Sequence, residues 1–78
     1  MITKKERIKL RSMAQTLKPI VLVGKEGFTE NVLNQIDEEL YNHELIKISM
    51  QENATPPTEF ELTEMAVKLG AEVVTTIG

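Results

Sequence analysis

The sequence of 78 residues contains no cysteine, no tryptophan and a single histidine. Without cysteine the chain can form neither a disulfide nor a thiolate metal site, and one histidine cannot provide a histidine cluster. Long apolar runs are also missing, because the longest, Ile20–Val23, is far shorter than the ~20 residues that span a bilayer. The N-terminus is charged and has helical periodicity, unlike a signal peptide. These absences favour a soluble cytosolic protein with one small domain, residues 1–78.

The net charge of -3 hides an uneven distribution of charged residues. Residues 1–25 carry seven cations and one carboxylate, a net charge of +6, whereas residues 26–78 carry two cations and eleven carboxylates, a net charge of -9. A cationic segment is a candidate surface for a polyanion, while the acidic remainder favours solubility. Charge alone leaves open whether the segment binds a partner or is only part of an uneven distribution.

Apolar periodicity predicts six regular elements in the order αβαβαβ. The helical segments repeat apolar residues at intervals of three and four, and the strand segments are apolar, alternating or rich in β-branched residues. Thr3 with Glu6 has the spacing of a capping box, Thr29 is a suitable N-cap, and Gly70 a suitable C-terminal cap. The predicted helices cover residues 4–17, 30–43 and 59–69, and the predicted strands cover residues 20–23, 45–51 and 71–77.

The alternation of helices and strands predicts an α/β fold, in which helices pack on a mixed, mostly parallel sheet. The first strand, Ile20–Val23, is apolar on both faces, which is typical of a strand inside a sheet. Phe28 precedes the second helix and can pack on Leu33 as a hydrophobic staple. Three strands would make this sheet narrow.

Residues suited to catalysis are scarce. The single histidine, His43, lies at the predicted end of the second helix, where it can face the negative end of the helix dipole. Asp37, Glu38 and Glu39 are consecutive, so they point in different directions around a helix and cannot form a facing acid/base pair. We therefore expect no enzymatic activity, no cofactor and no metal site.

The segment Gly24-Lys25-Glu26-Gly27 joins the first predicted strand to the second predicted helix. It matches neither a Walker A motif nor a dinucleotide-binding fingerprint. Two glycines let the backbone approach a bulky polar group, and Lys25 and the following helix N-terminus supply positive charge. These properties suit contact with a phosphodiester backbone. Glycine in such a turn can also serve conformation alone. A further alternative is a small enzyme that acts on a phosphorylated ligand at this turn, but the sequence offers no credible acid, base or metal site for it.

Four segments together resemble the CRM domain in its bacterial stand-alone, YhbY-like form. They are the basic N-terminal helix, "LKPIVLVGKEGFTENVLNQIDEEL", "HELIKISM" and "LGAEVVTTIG". The resemblance implies a fold similar to the C-terminal domain of translation initiation factor three. It also implies RNA binding through the GxxG loop and neighbouring basic residues, with ribosomal RNA in precursors of the large subunit as the partner.

Carried onto this sequence, the resemblance places RNA contacts at the GKEG turn and on the basic helix and its exit. Glu26 departs from this expectation, because it puts a carboxylate where phosphate should approach. The expected RNA-binding residues are Lys4, Lys5, Arg7, Arg11, Lys18, Gly24, Lys25, Glu26 and Gly27.

The end of the sequence also departs from the family pattern. Members usually continue past "IG" into a further strand, so the last strand is expected to be absent here. A sheet edge left uncovered would favour self-association. An alternative function is a protein-interaction module of the ribosome-assembly machinery that uses its acidic face, centred on Asp37, Glu38 and Glu39.

Overall fold

The computed structural model describes residues 2–77, so Met1 and Gly78 of the predicted domain lie outside the described residues. Three helices and two strands alternate along the chain, which confirms the predicted α/β class and the order of the first five elements. The two strands pair in parallel, with Val21 opposite Ile48 and Val23 opposite Met50. The elements are α1 (Lys4–Ala14), β1 (Val21–Val23), α2 (Glu30–Asn42), β2 (Ile48–Met50) and α3 (Glu59–Leu69).

Each helix begins at a threonine N-cap, as the sequence predicts for α1 and α2. Thr3 and Glu6 form a reciprocal capping box, in which the hydroxyl accepts the Glu6 N–H and the carboxylate accepts the Thr3 N–H. Thr58 forms the same arrangement at the start of α3, and the Thr29 hydroxyl accepts an N–H in the first turn of α2. Such a cap contributes about 1 kcal/mol to stability.

The first helix is shorter than the predicted span of residues 4–17. After Ala14 the chain tightens into hydrogen bonds between residues three apart, from Gln15 N to Ser12 O and from Leu17 N to Ala14 O. The Ala14 carbonyl also accepts a hydrogen bond from Lys47 Nζ at 3.1 Å. These bonds use carbonyls that would otherwise remain unpaired at the helix end, so α1 can stop before Pro19.

The predicted third strand, residues 71–77, is wrong for the described part of the chain, where these residues form no strand. Gly70 ends α3 in the left-handed conformation, and Ala71 N donates to Ala66 O at 2.8 Å. The carbonyls of Val73 and Val74 then accept hydrogen bonds from the Arg7 side chain. Strand propensity depends on a strand partner, and here a side chain takes the place of that partner.

The hydrophobic core lies on one face of the sheet. Val21, Ile36 and Met65 form its buried centre, and Phe28 and Leu33 pack against them. The opposite face of β1 is open, because the Leu22 side chain is 62% exposed. The expectation that this strand lies inside a sheet is therefore wrong within residues 2–77: β1 is an edge strand with β2 as its one strand partner.

No helix in residues 2–77 has the length and apolar character needed to cross a membrane.

Candidate nucleic-acid interface

The GKEG segment forms a β-turn. Gly27 N donates to Gly24 O at 3.0 Å, which places Lys25 and Glu26 at the two central positions. Gly27 has a φ angle of 75°, a conformation that favours glycine. A Cβ atom on Gly24 would lie 3.3 Å from the Gln51 Oε1 atom, which is closer than side-chain atoms usually pack. Backbone conformation thus accounts for Gly27, whereas at Gly24 an added Cβ would meet the end of a flexible side chain.

The turn lies at the end of the parallel sheet that is formed by the carboxyl ends of both strands. It follows the last residue of β1, and Gln51 follows the last residue of β2. Gln51 N donates to Val23 O at 2.7 Å, which holds the two strand ends together. Thr29, the N-cap of α2, lies two residues after Gly27. In open α/β sheets, ligands bind in the crevice outside the carboxyl ends of the strands.

Several backbone N–H groups around the turn are open to a ligand. Within residues 2–77 the structure records no protein acceptor for the amides of Lys25, Glu26 and Phe28. The first amides of α2 also lack helical partners, as at any helix N-terminus. Successive open amides beside a helix N-terminus can hold an anion such as phosphate. Anion binding at the turn therefore remains a prediction, and these amides are the groups that would carry it.

The predicted cations fall into separate groups. Lys4, Arg7 and Arg11 lie within roughly 60° of one another around α1, because each residue turns the helix by about 100°. Lys5 lies on a different side of α1. Lys18 is exposed in the connection between α1 and β1, and Lys25 is exposed in the turn. Apart from Arg7, none of the predicted cations within residues 2–77 forms an ion pair.

Arg7 has a structural role that the sequence does not reveal. Its Nη1 atom donates to Val73 O and Val74 O at 2.9 Å each, and its Nη2 atom donates to Glu72 Oε2 at 3.3 Å. The side chain is 34% exposed, so it is half-buried against the segment after α3. Arg7 thus joins the first helix to residues 72–74.

An acidic cleft flanks the turn on the side of α3. Glu26 lines this cleft of about 220 Å³ together with Phe28, Glu61, Glu64 and Lys68. Sequence reasoning did not find Glu61 and Glu64, because nothing in their local pattern indicates that α3 packs beside the turn. It also missed Gln51, although its position directly after a parallel strand is a usable signal. Residues 2–77 bring together no group of three or more side chains suited to a metal ion.

Comparisons with known proteins agree with the resemblance seen in the sequence. The family model described as the CRS1 / YhbY (CRM) domain matches residues 2–78. The Bacillus subtilis protein named Probable RNA-binding protein YqeI is 40% identical over 79 aligned positions, covering 100% of this chain and 81% of that protein. The Pseudomonas aeruginosa protein named Probable RNA-binding protein PA4753 is 29% identical over 77 positions, covering 99% of this chain and 74% of that protein.

A solved structure shares the fold. The solution structure of SAV1595 from Staphylococcus aureus, a protein proposed to bind RNA, superposes with a TM-score of 0.73 at 38% identity. The superposition covers 100% of this chain and 81% of the other.

Proposed function

This chain belongs to the CRS1/YhbY (CRM) domain family, and from that premise we propose that it is a non-enzymatic RNA-binding protein. The observation that carries the proposal is the GKEG turn, which presents open amides and the exposed Lys25 at the carboxyl edge of the sheet. The names of the relatives support RNA as the ligand. The partner in this proposal is ribosomal RNA in precursors of the large ribosomal subunit, bound in the cytoplasm.

The proposed contacts are with phosphate and sugar rather than with base edges. The open amides and Lys25 would hold one stretch of phosphodiester backbone, and the exposed cations of α1 would attract the flanking RNA. Such contacts recognise the shape of a folded RNA more than its sequence. Arg7 adds positive charge to α1 while its hydrogen bonds stay with residues 72–74. The proposed RNA surface consists of Lys4, Lys5, Arg7, Arg11, Lys18, Gly24, Lys25, Glu26 and Gly27.

Charge reversal in the turn tests the proposal. Lys25→Glu should weaken RNA binding by roughly tenfold or more at low salt, equivalent to at least about 1.4 kcal/mol, and leave the circular dichroism spectrum unchanged because Lys25 is exposed. Fluorescence anisotropy with labelled fragments of large-subunit ribosomal RNA measures the affinity. Lys68→Glu is the matched control, since Lys68 is exposed on α3 and lies outside the proposed RNA surface. Equal affinity of Lys25→Glu and the unmodified protein at low salt would contradict the proposal.

A protein-interaction module is the alternative. Asp37 and Glu38 are exposed and Glu39 is half-buried on α2, so this acidic face is accessible to a basic partner. If the alternative is correct, charge reversal at these three positions abolishes association with ribosomal precursors, whereas Lys25→Glu does not.

We also propose self-association through the sheet. Within residues 2–77 each strand has a single strand partner, and Leu22 is exposed on the uncovered face of β1. A second copy that pairs along β1 would satisfy the hydrogen-bonding groups of the open strand edge. Light scattering across a concentration series should show a dimer at high concentration; a single monomeric species throughout would contradict this.

A further inference from the structure

We infer that Glu26 restricts the side from which RNA can approach the GKEG turn, and so acts as a specificity-determining residue of that surface. The inference rests on the proposed function, which it deepens. It also gives a physical reason for a carboxylate inside a turn whose other features suit phosphate.

The two central residues of the turn belong to different surroundings. Glu26 lines the cleft next to α3, where Glu61, Glu64 and Lys68 are the other charged side chains. Lys25 is exposed and is not part of that lining. The turn therefore has an acidic flank on the side of α3, and its cation lies outside that flank.

The acidic flank carries three carboxylates and one ammonium group. The Glu61 carboxylate is held in place, because it accepts the Thr58 N–H at 2.9 Å in the capping box of α3. In the described part of the chain, no ion pair neutralises Glu26, Glu61 or Glu64. A phosphodiester that entered the cleft would meet this excess of negative charge at close range, which disfavours binding there.

The consequence is a one-sided interface. The Lys25 amide and the first amides of α2 belong to residues that do not line the cleft, so RNA can reach them from the side of Lys25, whereas the acidic flank repels a strand laid across α3. Repulsion of incorrect partners is a common source of specificity in charged interfaces. The negative charge of Glu26 therefore lowers non-specific affinity and leaves the approach that uses Lys25 available.

Removing the charge without changing the size of the side chain tests this inference. The variants are Glu26→Gln and Glu64→Gln, and Glu59→Gln is the matched control because Glu59 is exposed on α3 but does not line the cleft. Affinity is measured by anisotropy for a short oligouridine and for an RNA hairpin. Amide chemical shifts along α3 are followed during the same titrations.

We expect each cleft variant to bind oligouridine roughly two- to fivefold more tightly, which is the size of a screened surface charge interaction. The α3 amides should shift on RNA addition in the cleft variants and remain unshifted in the unmodified protein and in Glu59→Gln. The inference would be overturned if Glu26→Gln and Glu64→Gln gained no more oligouridine affinity than Glu59→Gln and showed no chemical-shift changes in α3. That result is distinct from failure of the proposed function, in which Lys25→Glu would leave RNA affinity unchanged.

Discussion

Replacement of Arg7 by alanine should destabilise the fold, because Arg7 joins α1 to the segment after α3. The substitution removes hydrogen bonds to the Val73 and Val74 carbonyls and the contact with the Glu72 carboxylate. It leaves Lys4 and Arg11 in place on the same side of α1. Any loss of stability in this variant can therefore be attributed to the contacts of Arg7, because the neighbouring cations are unchanged.

The size of the effect follows from the exposure of the groups. A hydrogen bond from a charged donor contributes about 1.5–3 kcal/mol, but both bonds to carbonyl oxygens come from the one Nη1 atom. The Arg7 and Glu72 side chains are 34% and 36% exposed, so their ion pair contributes at most ~1 kcal/mol. We expect Arg7→Ala to lower the free energy of unfolding by about 2 kcal/mol. In a domain of this size that lowers Tm by roughly 8–16 °C.

Urea unfolding, monitored by circular dichroism, measures this loss in the free energy of unfolding directly. Arg7→Lys keeps the charge but cannot reproduce the forked geometry of the guanidinium, so its loss should be intermediate. Lys9→Ala, at an exposed position of the same helix, should change stability by less than about 0.5 kcal/mol. Equal urea midpoints for Arg7→Ala and Lys9→Ala would contradict the structural role of Arg7.

Three further predictions concern the GKEG turn, the first capping box and the cations of α1. Gly27→Ala should lower the free energy of unfolding by about 1 kcal/mol in urea, because its φ angle of 75° is unfavourable for alanine. Gly24→Ala should lower it less, because the added Cβ meets the end of the flexible Gln51 side chain. The hydrogen bond from the Thr3 N–H lowers the pKa of Glu6, so the capping box contributes stability above the unfolded-state pKa and loses it as pH falls through the lowered value. Thr3→Ala keeps this N–H but removes the side-chain hydrogen bond that also lowers the Glu6 pKa, so it should raise that pKa in an NMR titration, whereas Thr58→Ala should not. RNA affinity should fall steeply with salt, and Arg11→Glu should make that slope shallower.

Local signals predicted the helices well. The Thr3–Glu6 capping box, the Thr29 N-cap and the Gly70 cap depend on residues at most five positions apart, so α1 and α2 begin, and α3 ends, where the sequence predicts. The strands depend on partners that are distant in sequence. Residues 71–77 have the composition of a strand, but the described structure pairs none of them with β1 or β2.

The candidate site was predictable only in part. The turn is defined by four consecutive residues between a strand and a helix, and its position could be predicted from them. The acidic cleft depends on the packing of α3 against the turn, which brings Glu61 and Glu64 beside Glu26. The hydrogen bonds of Arg7 also cross most of the chain, since its acceptors lie more than sixty residues away. Neither the packing of α3 against the turn nor the hydrogen bonds of Arg7 leaves a local sequence pattern, so neither could be predicted from the sequence.

Crosslinking in cell extract tests the central claim, RNA binding through the GKEG turn, most directly. The protein and its Lys25→Glu variant are crosslinked in parallel, and the bound RNA is sequenced. We predict that large-subunit ribosomal RNA is enriched with the unmodified protein and that this enrichment is lost in the variant. Recovery of no RNA above background, or equal recovery with both proteins, would contradict the account.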